Sequence, residues 1–318
     1  MIVLACDVGG TRIKCGLVAS GRLLTQTEIP AEPASGLAAA LERIAAERAG
    51  LLRAAGLPGT EPAALGLAFP GIIEPRTGRV LSTPAGKFDD APRLDLSAHV
   101  RRLFGTAVVV DNDANAALAG EWQYGAARGC RSAVMMTLGT GVGTSVIIEG
   151  LPLRGPHGQA GCLGGHLLAN AHGRSCSCGA VGCVETEAST WALPGLAQAD
   201  PAYAASALAR EGVIDYEAVF RLAGAGDLLA ANLRDRSLQV WSAALVSLIH
   251  AYDPERVVLG GGIMRSEDAI LPALRAYAAK HAWTPWGNVE IVPATLGNHA
   301  GILGMAWLAE RGLPPASP

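Results

Sequence analysis

Glycine turns, an acidic triplet and a histidine–cysteine cluster are the parts of this sequence whose residue types and spacing suit chemistry. The segment Asp7-x-Gly9-Gly10-Thr11-x-x-Lys14 holds what a nucleotide needs beside it. Glycines let backbone N–H groups face phosphate oxygens, Thr11 adds a hydroxyl donor, and Asp7 can orient a hydrated divalent cation. A Gly-Gly-Thr turn is also an ordinary way to reverse a strand. Two further glycine turns, Gly139-Thr140-Gly141-Val142-Gly143 and Gly260-Gly261-Gly262, each follow an apolar run and weigh against that plainer reading. No Gly-x-x-x-x-Gly-Lys-Ser/Thr segment occurs and the first turn lacks Gly-x-Gly-x-x-Gly, so neither a P-loop nor a dinucleotide fingerprint is present.

His166-x9-Cys176-x-Cys178-x4-Cys183 gathers one imidazole and three thiols within 18 residues. Buried, unligated thiols would account for scattered cysteines. Compact spacing with glycines between favours a structural zinc, and four protein ligands would leave no open position for activating water. Cys162 is the nearby residue most easily mistaken for a ligand, while His157 and His172 have no comparable claim. Cys6, Cys15 and Cys130 are scattered, and an odd total of seven argues against a disulfide framework.

Strands and helices must position these groups. Residues 2–6 and 13–18 read as strands joined by the first turn, and residues 37–52 as an amphipathic helix. Residues 64–69 and 107–110 read as strands, and the alanine-rich stretch 115–122 as a helix directly after Asp111-Asn112-Asp113. Strands at 133–138 and 144–148 flank the second glycine turn and repeat the opening arrangement, which suggests two related α/β halves. Helices are expected at 201–209, 216–223, 227–249 and 269–280, strands at 256–259 and 289–292, and a terminal helix at 300–310 packing back on the first half. Pro314, Pro315 and Pro318 mark a frayed tail. This alternation of strand and helix is that of an α/β protein.

A chain of 318 residues has room for about two domains. The net charge of −3, from 25 basic and 28 acidic residues, gives no global basic field for nucleic acid or an anionic membrane. An apolar content of 50% with only 17% charged residues argues for a folded chain. Apolar runs fall short of the ~18 residues of a membrane span, and the amino terminus has no basic leader, so a cytoplasmic protein is expected.

Taken together, the motifs resemble the ROK sugar kinases and their relatives, which have a two-lobed actin-like, hexokinase-like ATPase fold on a ribonuclease H-like core. The resemblance is carried by Asp7-Val8-Gly9-Gly10-Thr11-Arg12-Ile13-Lys14, Phe69-Pro70-Gly71, Asn112-Asp113-Ala114-Asn115-Ala116, Leu138-Gly139-Thr140-Gly141-Val142-Gly143 and Gly260-Gly261-Gly262-Ile263. Cys176-Ser177-Cys178-Gly179-x-x-Gly182-Cys183-x-Glu185 completes it, and the set runs in family order over nearly the whole chain. It implies a small lobe of residues 1–115 plus 297–318, a large lobe of 116–296 carrying the zinc loop, and a homodimer. The implied activity is ATP- and magnesium-dependent phosphorylation of a hexose or hexose derivative, with the 6-hydroxyl as the first expectation.

The resemblance places Asp7, Gly9, Gly10, Thr11 and Lys14 at the ATP phosphates and magnesium, Thr140 and Gly141 in the second phosphate turn, and Gly261, Gly262 and Ile263 at the adenosine. An alcohol attacking a γ-phosphoryl group needs a carboxylate to accept its proton, and Asp113 is the candidate. Residues 111–113 would equally serve as a cap for the following helix. Asn112, the Gly71 backbone, His166 and Glu185 are implied sugar contacts, with His166 also at the zinc beside Cys176, Cys178 and Cys183.

The chain departs from this pattern in three places. Relatives usually carry Gly-Glu-x-Gly-His where this chain reads Gly161-Cys162-Leu163-Gly164-Gly165-His166, which puts Leu163 or Cys162 at the position of a pocket glutamate. Neither accepts two sugar hydroxyls as a carboxylate can. Thr144 stands where a third glycine commonly continues the phosphate turn, and Pro84-Ala85 where Pro-Asn is common. These changes weaken any claim to glucose in particular. Two other readings follow from the same family. In a sugar-responsive DNA-binding regulator a helix-turn-helix would precede the kinase-like region, and a first turn at residue 7 is expected to leave no room for one. A catalytically silent sugar-binding or regulatory scaffold would fit the altered pocket, but retention of Asp113 with all three turns favours the kinase.

Overall fold

The structure is a computed structural model that describes residues 1–84 and 86–312. The chain opens with strands β1 (Ile2–Val8), β2 (Arg12–Ala19) and β3 (Arg22–Pro30), helix α1 (Gly36–Ala54), and strands β4 (Ala64–Phe69), β5 (Ile72–Ile73) and β6 (Val80–Ser82). Next come α2 (Leu96–Phe104), β7 (Ala107–Asn112), α3 (Asp113–Tyr124), β8 (Ala133–Leu138), β9 (Val142–Ile148) and β10 (Leu151–Pro152). The remainder is α4 (Val184–Glu187), α5 (Leu193–Gln198), α6 (Tyr216–Gly224), α7 (Leu228–Tyr252), β11 (Arg256–Gly260), α8 (Glu267–His281), β12 (Glu290–Pro293) and α9 (Ala300–Gly312).

Packing divides the chain into two units. One comprises Met1–Gly129, Pro152–Ala160 and the segment from Thr295 through α9; the other comprises Cys130–Leu151 and Gly161–Ala294. The division thus falls after α3 and not at residue 115, because α3 and α9 lie against each other. Two glycines permit that approach: a Cβ on Gly120 would come 2.3 Å from the Ala300 carbonyl oxygen, and one on Gly304 1.8 Å from that of Ala116.

In the first unit the sheet order is β3-β2-β1-β4-β7, with β1, β4 and β7 parallel and the β1–β2–β3 meander antiparallel. Alternation along β1 serves both faces. Leu4, Cys6 and Val8 join Leu37, Leu41 and Ile44 of α1, whereas Val3 and Ala5 join Ala116 and Ala119 of α3 and Ile302 and Met305 of α9. Parallel strands covered on both faces must be apolar throughout, and β4 is buried at every position. The second unit has the order β10-β9-β8-β11-β12, again an antiparallel β8–β9 pair beside parallel β8, β11 and β12. The strand–turn–strand recurrence of the sequence is therefore a recurrence of sheet topology.

Several elements differ from their expected form. Residues 201–209 do not make one helix. They form two 3-10 turns, Tyr203–Ala205 and Ala207–Arg210, because the Asp227 carboxylate accepts from the Ser206 hydroxyl at 2.9 Å and the Ala207 N–H at 2.7 Å. Strand β3 and helix α2 carry weaker patterns. The first is a half-exposed edge, and the second is a short helix capped by Asp95, whose carboxylate accepts from the Ala98 N–H at 2.9 Å. Ala85 of the Pro84-Ala85 departure and the prolines at 314, 315 and 318 lie outside the described residues. Among the described residues no helix is long and apolar enough to cross a membrane.

Candidate active site

Three motif segments leave the carboxyl ends of the adjacent parallel strands β1, β4 and β7, the edge at which open α/β sheets bind ligands. After β1, the Gly9 N–H donates to the Arg12 carbonyl at 2.9 Å, and a Cβ on Gly9 would lie as close to that oxygen. The Gly10 and Thr11 N–H groups donate to nothing among the described residues. Asp7 pairs in register with Lys14, whose ammonium donates to Asn298 Oδ1 at 2.9 Å. Helix α9 also reaches this point: a Cβ on Gly301 would sit 3.0 Å from the Asp7 carboxyl carbon. Burial pushes the Asp7 carboxyl up, with the Lys14 charge opposing.

After β7 the acidic triplet divides its labour. Asn112 is the cap of α3, its Oδ1 accepting from the Ala114 N–H at 3.0 Å and the Asn115 N–H at 3.4 Å, while its Nδ2 donates to the Gly71 carbonyl at 3.1 Å. Buried Asp111 accepts from the Asn112 N–H at 2.8 Å, from Asn115 Nδ2 at 2.9 Å and from Arg154 Nε at 3.0 Å. Capping and anchoring are thereby taken by residues 111 and 112. Asp113 keeps a local contact, accepting from the Ala114 N–H at 2.9 Å. Burial first, and the charge of Asp7 second, push its carboxyl up to about 6. Arg154 carries no local signal in the sequence, standing 43 residues from its partner.

In the second unit, β8 and β11 run parallel and their following turns meet. Gly261, at φ 92°, lies against the end of β8 so closely that a Cβ would stand 2.2 Å from the Leu138 carbonyl oxygen. The turn around Gly139 to Gly141 is held by the Thr190 N–H on the Gly139 carbonyl and the Trp191 N–H on that of Thr140, both 3.1 Å. Gly262 opens a 3-10 turn that buries Ile263. The Glu185 carboxylate accepts from the Val142 N–H at 2.9 Å, and a Cβ on Gly141 would collide with it at 2.3 Å. An expected sugar contact thus also braces the second glycine turn.

The altered Gly161-to-His166 loop is tied to β9. Buried Thr144 donates its hydroxyl to the Gly161 carbonyl and accepts from the Gly164 N–H, each at 2.7 Å. A Cβ on Gly165 would fall 1.8 Å from the Val142 carbonyl oxygen, so the doubled glycine is what lets the loop lie on the strand. Cys162 and Leu163 are both half-buried.

The four cysteine and histidine residues come together. One ligand atom from each of His166, Cys176, Cys178 and Cys183 lies within 4.8 Å of all the others. Cys176 Sγ is 3.6 Å from His166 Nδ1, and Cys178 Sγ is 3.6 Å from Cys183 Sγ. Tetrahedral zinc with ordinary bond lengths separates two sulfurs by about 3.8 Å and a sulfur from a nitrogen by about 3.6 Å. The donor set therefore fits zinc, and Cys162 is not part of it. Behind the cluster, buried Glu187 accepts from the Arg174 N–H at 2.9 Å and pairs with Arg236, and the Trp241 indole donates to the Ala188 carbonyl at 2.8 Å.

The chain is similar to known kinases over nearly its whole length. A glucokinase of Halalkalibacterium halodurans is 32% identical over 312 residues, covering 96% of this chain and 94% of that one. An N-acetylmannosamine kinase of Escherichia fergusonii is 32% identical over 311 residues, covering 98% and 99%. The crystal structure of a ROK family glucokinase from Streptomyces griseus in complex with glucose and AMPPNP superposes with a TM-score of 0.79 at 30% identity, over 98% of this chain and all of the other. The fold is the actin-like, hexokinase-like ATPase fold. The ROK family profile matches residues 3–312, and the chain belongs to the ROK family.

Proposed function

We propose that the protein transfers the γ-phosphoryl group of ATP to the 6-hydroxyl of a hexose or hexose derivative. That it is a sugar kinase rests on full-length similarity to kinases of glucose and of N-acetylmannosamine. The observation that carries the mechanism is the division of labour after β7, where Asn112 caps the helix and Asp113 keeps a carboxyl raised to about 6. A carboxylate of that basicity accepts a proton near neutral pH more readily than an ordinary aspartate.

In this reading Asp113 takes the hydroxyl proton as the sugar oxygen bonds to the γ-phosphorus and ADP departs. Asn112, held by the Gly71 carbonyl, orients the sugar, and Glu185 and His166 have the sugar-contacting roles implied by the family motif. The N–H groups of Gly10 and Thr11 receive phosphate oxygens, as do Thr140 and Gly141, and the turn Gly261 to Ile263 borders the adenosine. Asp7 fits a hydrated magnesium ion: its carboxylate is half-buried, and Gly301 leaves the space beside it without a side chain. When bound, the ion neutralises charge on the β- and γ-phosphates. The His166, Cys176, Cys178 and Cys183 set holds zinc as a structural clasp for its loop, with His166 Nδ1 on the cluster side and Nε2 left for substrate. A homodimer and a cytoplasmic setting belong to the same proposal, the setting because a thiolate site persists where cysteines stay reduced.

The sugar is expected to differ from glucose at the hydroxyl that the missing glutamate would bind, because Cys162 and Leu163 offer no paired acceptor. Initial rates with ATP and glucose, mannose, allose, fructose and N-acetylated hexoses test both levels. Turnover with none defeats the kinase reading in favour of a silent or regulatory sugar binder. A kcat/KM highest for unmodified glucose defeats only the altered specificity.

A further inference from the structure

Lys87 lies in the loop between β6 and α2, away from every motif described above, yet its ammonium reaches the first glycine turn. A Cβ on Gly10 would stand 3.1 Å from Lys87 Nζ and 3.6 Å from its Cε. Among the described residues this ammonium has no hydrogen-bond or ion-pair partner, unlike Lys14, which is held by Asn298. Its backbone is fixed. The neighbouring Phe88 is fully buried with its ring 5.3 Å from that of Phe69, its N–H donates to the Pro33 carbonyl at 2.9 Å, and its φ is 55°. Two residues further, the Asp90 carboxylate accepts from the Leu37 and Ala38 N–H groups at 2.7 and 3.0 Å. A half-buried cation on a segment pinned at both of these points is not a free surface lysine.

One unpaired ammonium and the two free N–H groups of Gly10 and Thr11 lie at one turn, and together they are the donor set of a phosphate group. The same turn follows Asp7 at the carboxyl end of β1, the sheet edge at which β7 ends before Asp113. A phosphate held there lies on the sheet edge from which Asp113 leaves β7, as the transferred group must. Resting on the kinase reading above, the geometry points to Lys87 as a contact of the γ-phosphoryl group, adding positive charge where the transferred group carries its oxygens. Lys14, occupied by Asn298, braces the strand pair behind the turn.

Calorimetric titration of AMPPNP and of ADP, each with magnesium and without sugar, reads this contact independently of turnover. Lys87→Met keeps the aliphatic stem and removes the charge. It should weaken AMPPNP on the order of tenfold or more while changing ADP less than about twofold, since a charge-assisted contact to the γ-group is absent in ADP. Lys87→Arg should recover part of the loss, and both variants should melt near the wild-type temperature. Equal losses for the two nucleotides, or none for either, overturn the assignment. Wild-type protein that prefers AMPPNP but turns over ATP with no sugar would refute the kinase reading while leaving Lys87 at the γ-phosphate. Wild-type protein that binds neither nucleotide refutes both.

Discussion

Thr144 fastens Gly164: the threonine hydroxyl accepts from the Gly164 N–H at 2.7 Å while donating to the Gly161 carbonyl, and a Cβ on Gly164 would strike the Thr144 side chain at 2.5 Å. Two departures from the family motif are thus one feature. A threonine on β9 requires a glycine opposite, and the extra glycine before His166 supplies the slack. Thr144→Val should leave the buried Gly161 carbonyl and Gly164 N–H unpaired and cost about 1–3 kcal/mol in urea unfolding. Thr144→Ser should cost less, and in the valine variant the sugar KM should rise more than the ATP KM.

Asp113→Asn should reduce sugar-dependent ADP release by orders of magnitude without unfolding the protein. The native carboxyl is raised, so its ionised form is disfavoured in the folded state. That penalty is present above about pH 6 and disappears as pH falls below the unfolded value. The asparagine variant should therefore melt at the same or a higher temperature at pH 7.5, and wild-type kcat/KM should fall about tenfold per unit below pH 6. Near-native turnover in the variant sinks the assignment.

Protein purified without added metal should contain about one zinc per chain by elemental analysis. Removing it with a chelator should raise the sugar KM and lower the melting temperature, because the loop from His166 to Cys183 has little apolar packing of its own. A metal-free preparation with full activity and unchanged melting would reject the clasp.

Glu121 is fully buried in α3 and accepts from the Ala126, Thr295 and Leu296 N–H groups at 2.7, 2.9 and 2.8 Å. It holds the approach to α9, and through it Asn298 and Gly301 at Asp7. Glu121→Ala should lower stability by about 3–5 kcal/mol in chemical denaturation, since several charge-assisted bonds are lost together. A loss below 1 kcal/mol, on the order of a surface substitution, would show that this carboxylate anchors nothing.

Much of this was legible because local physics dictates it. Strands at 64–69 and 133–138 are apolar but for Thr137 and are followed directly by proline or glycine, which sets their limits. The cysteine cluster was legible because ligand spacing within one loop is itself a sequence pattern. What escaped depends on partners distant in the chain. Arg154 on Asp111, Glu121 on Thr295, Asp90 on Leu37 and Lys87 at Gly10 join residues 43, 174, 53 and 77 positions apart. Residues 201–209 have helical composition, but a remote aspartate claims their backbone donors.

Helix α9 is buried at nearly every position from Ala300 to Ala309, yet it fills the face of a sheet whose first strand begins at Ile2. A ribosome delivers that sheet long before it delivers its cover. While the rest of the chain is being made, Val3, Ala5, Ala64 and Ala68 must wait with that side of the sheet covered by α3 alone, and the second unit can close upon itself in the meantime. The amino-terminal unit is therefore the last to be completed, and its exposed interval during synthesis is set by the rate of translation and not by its own folding speed.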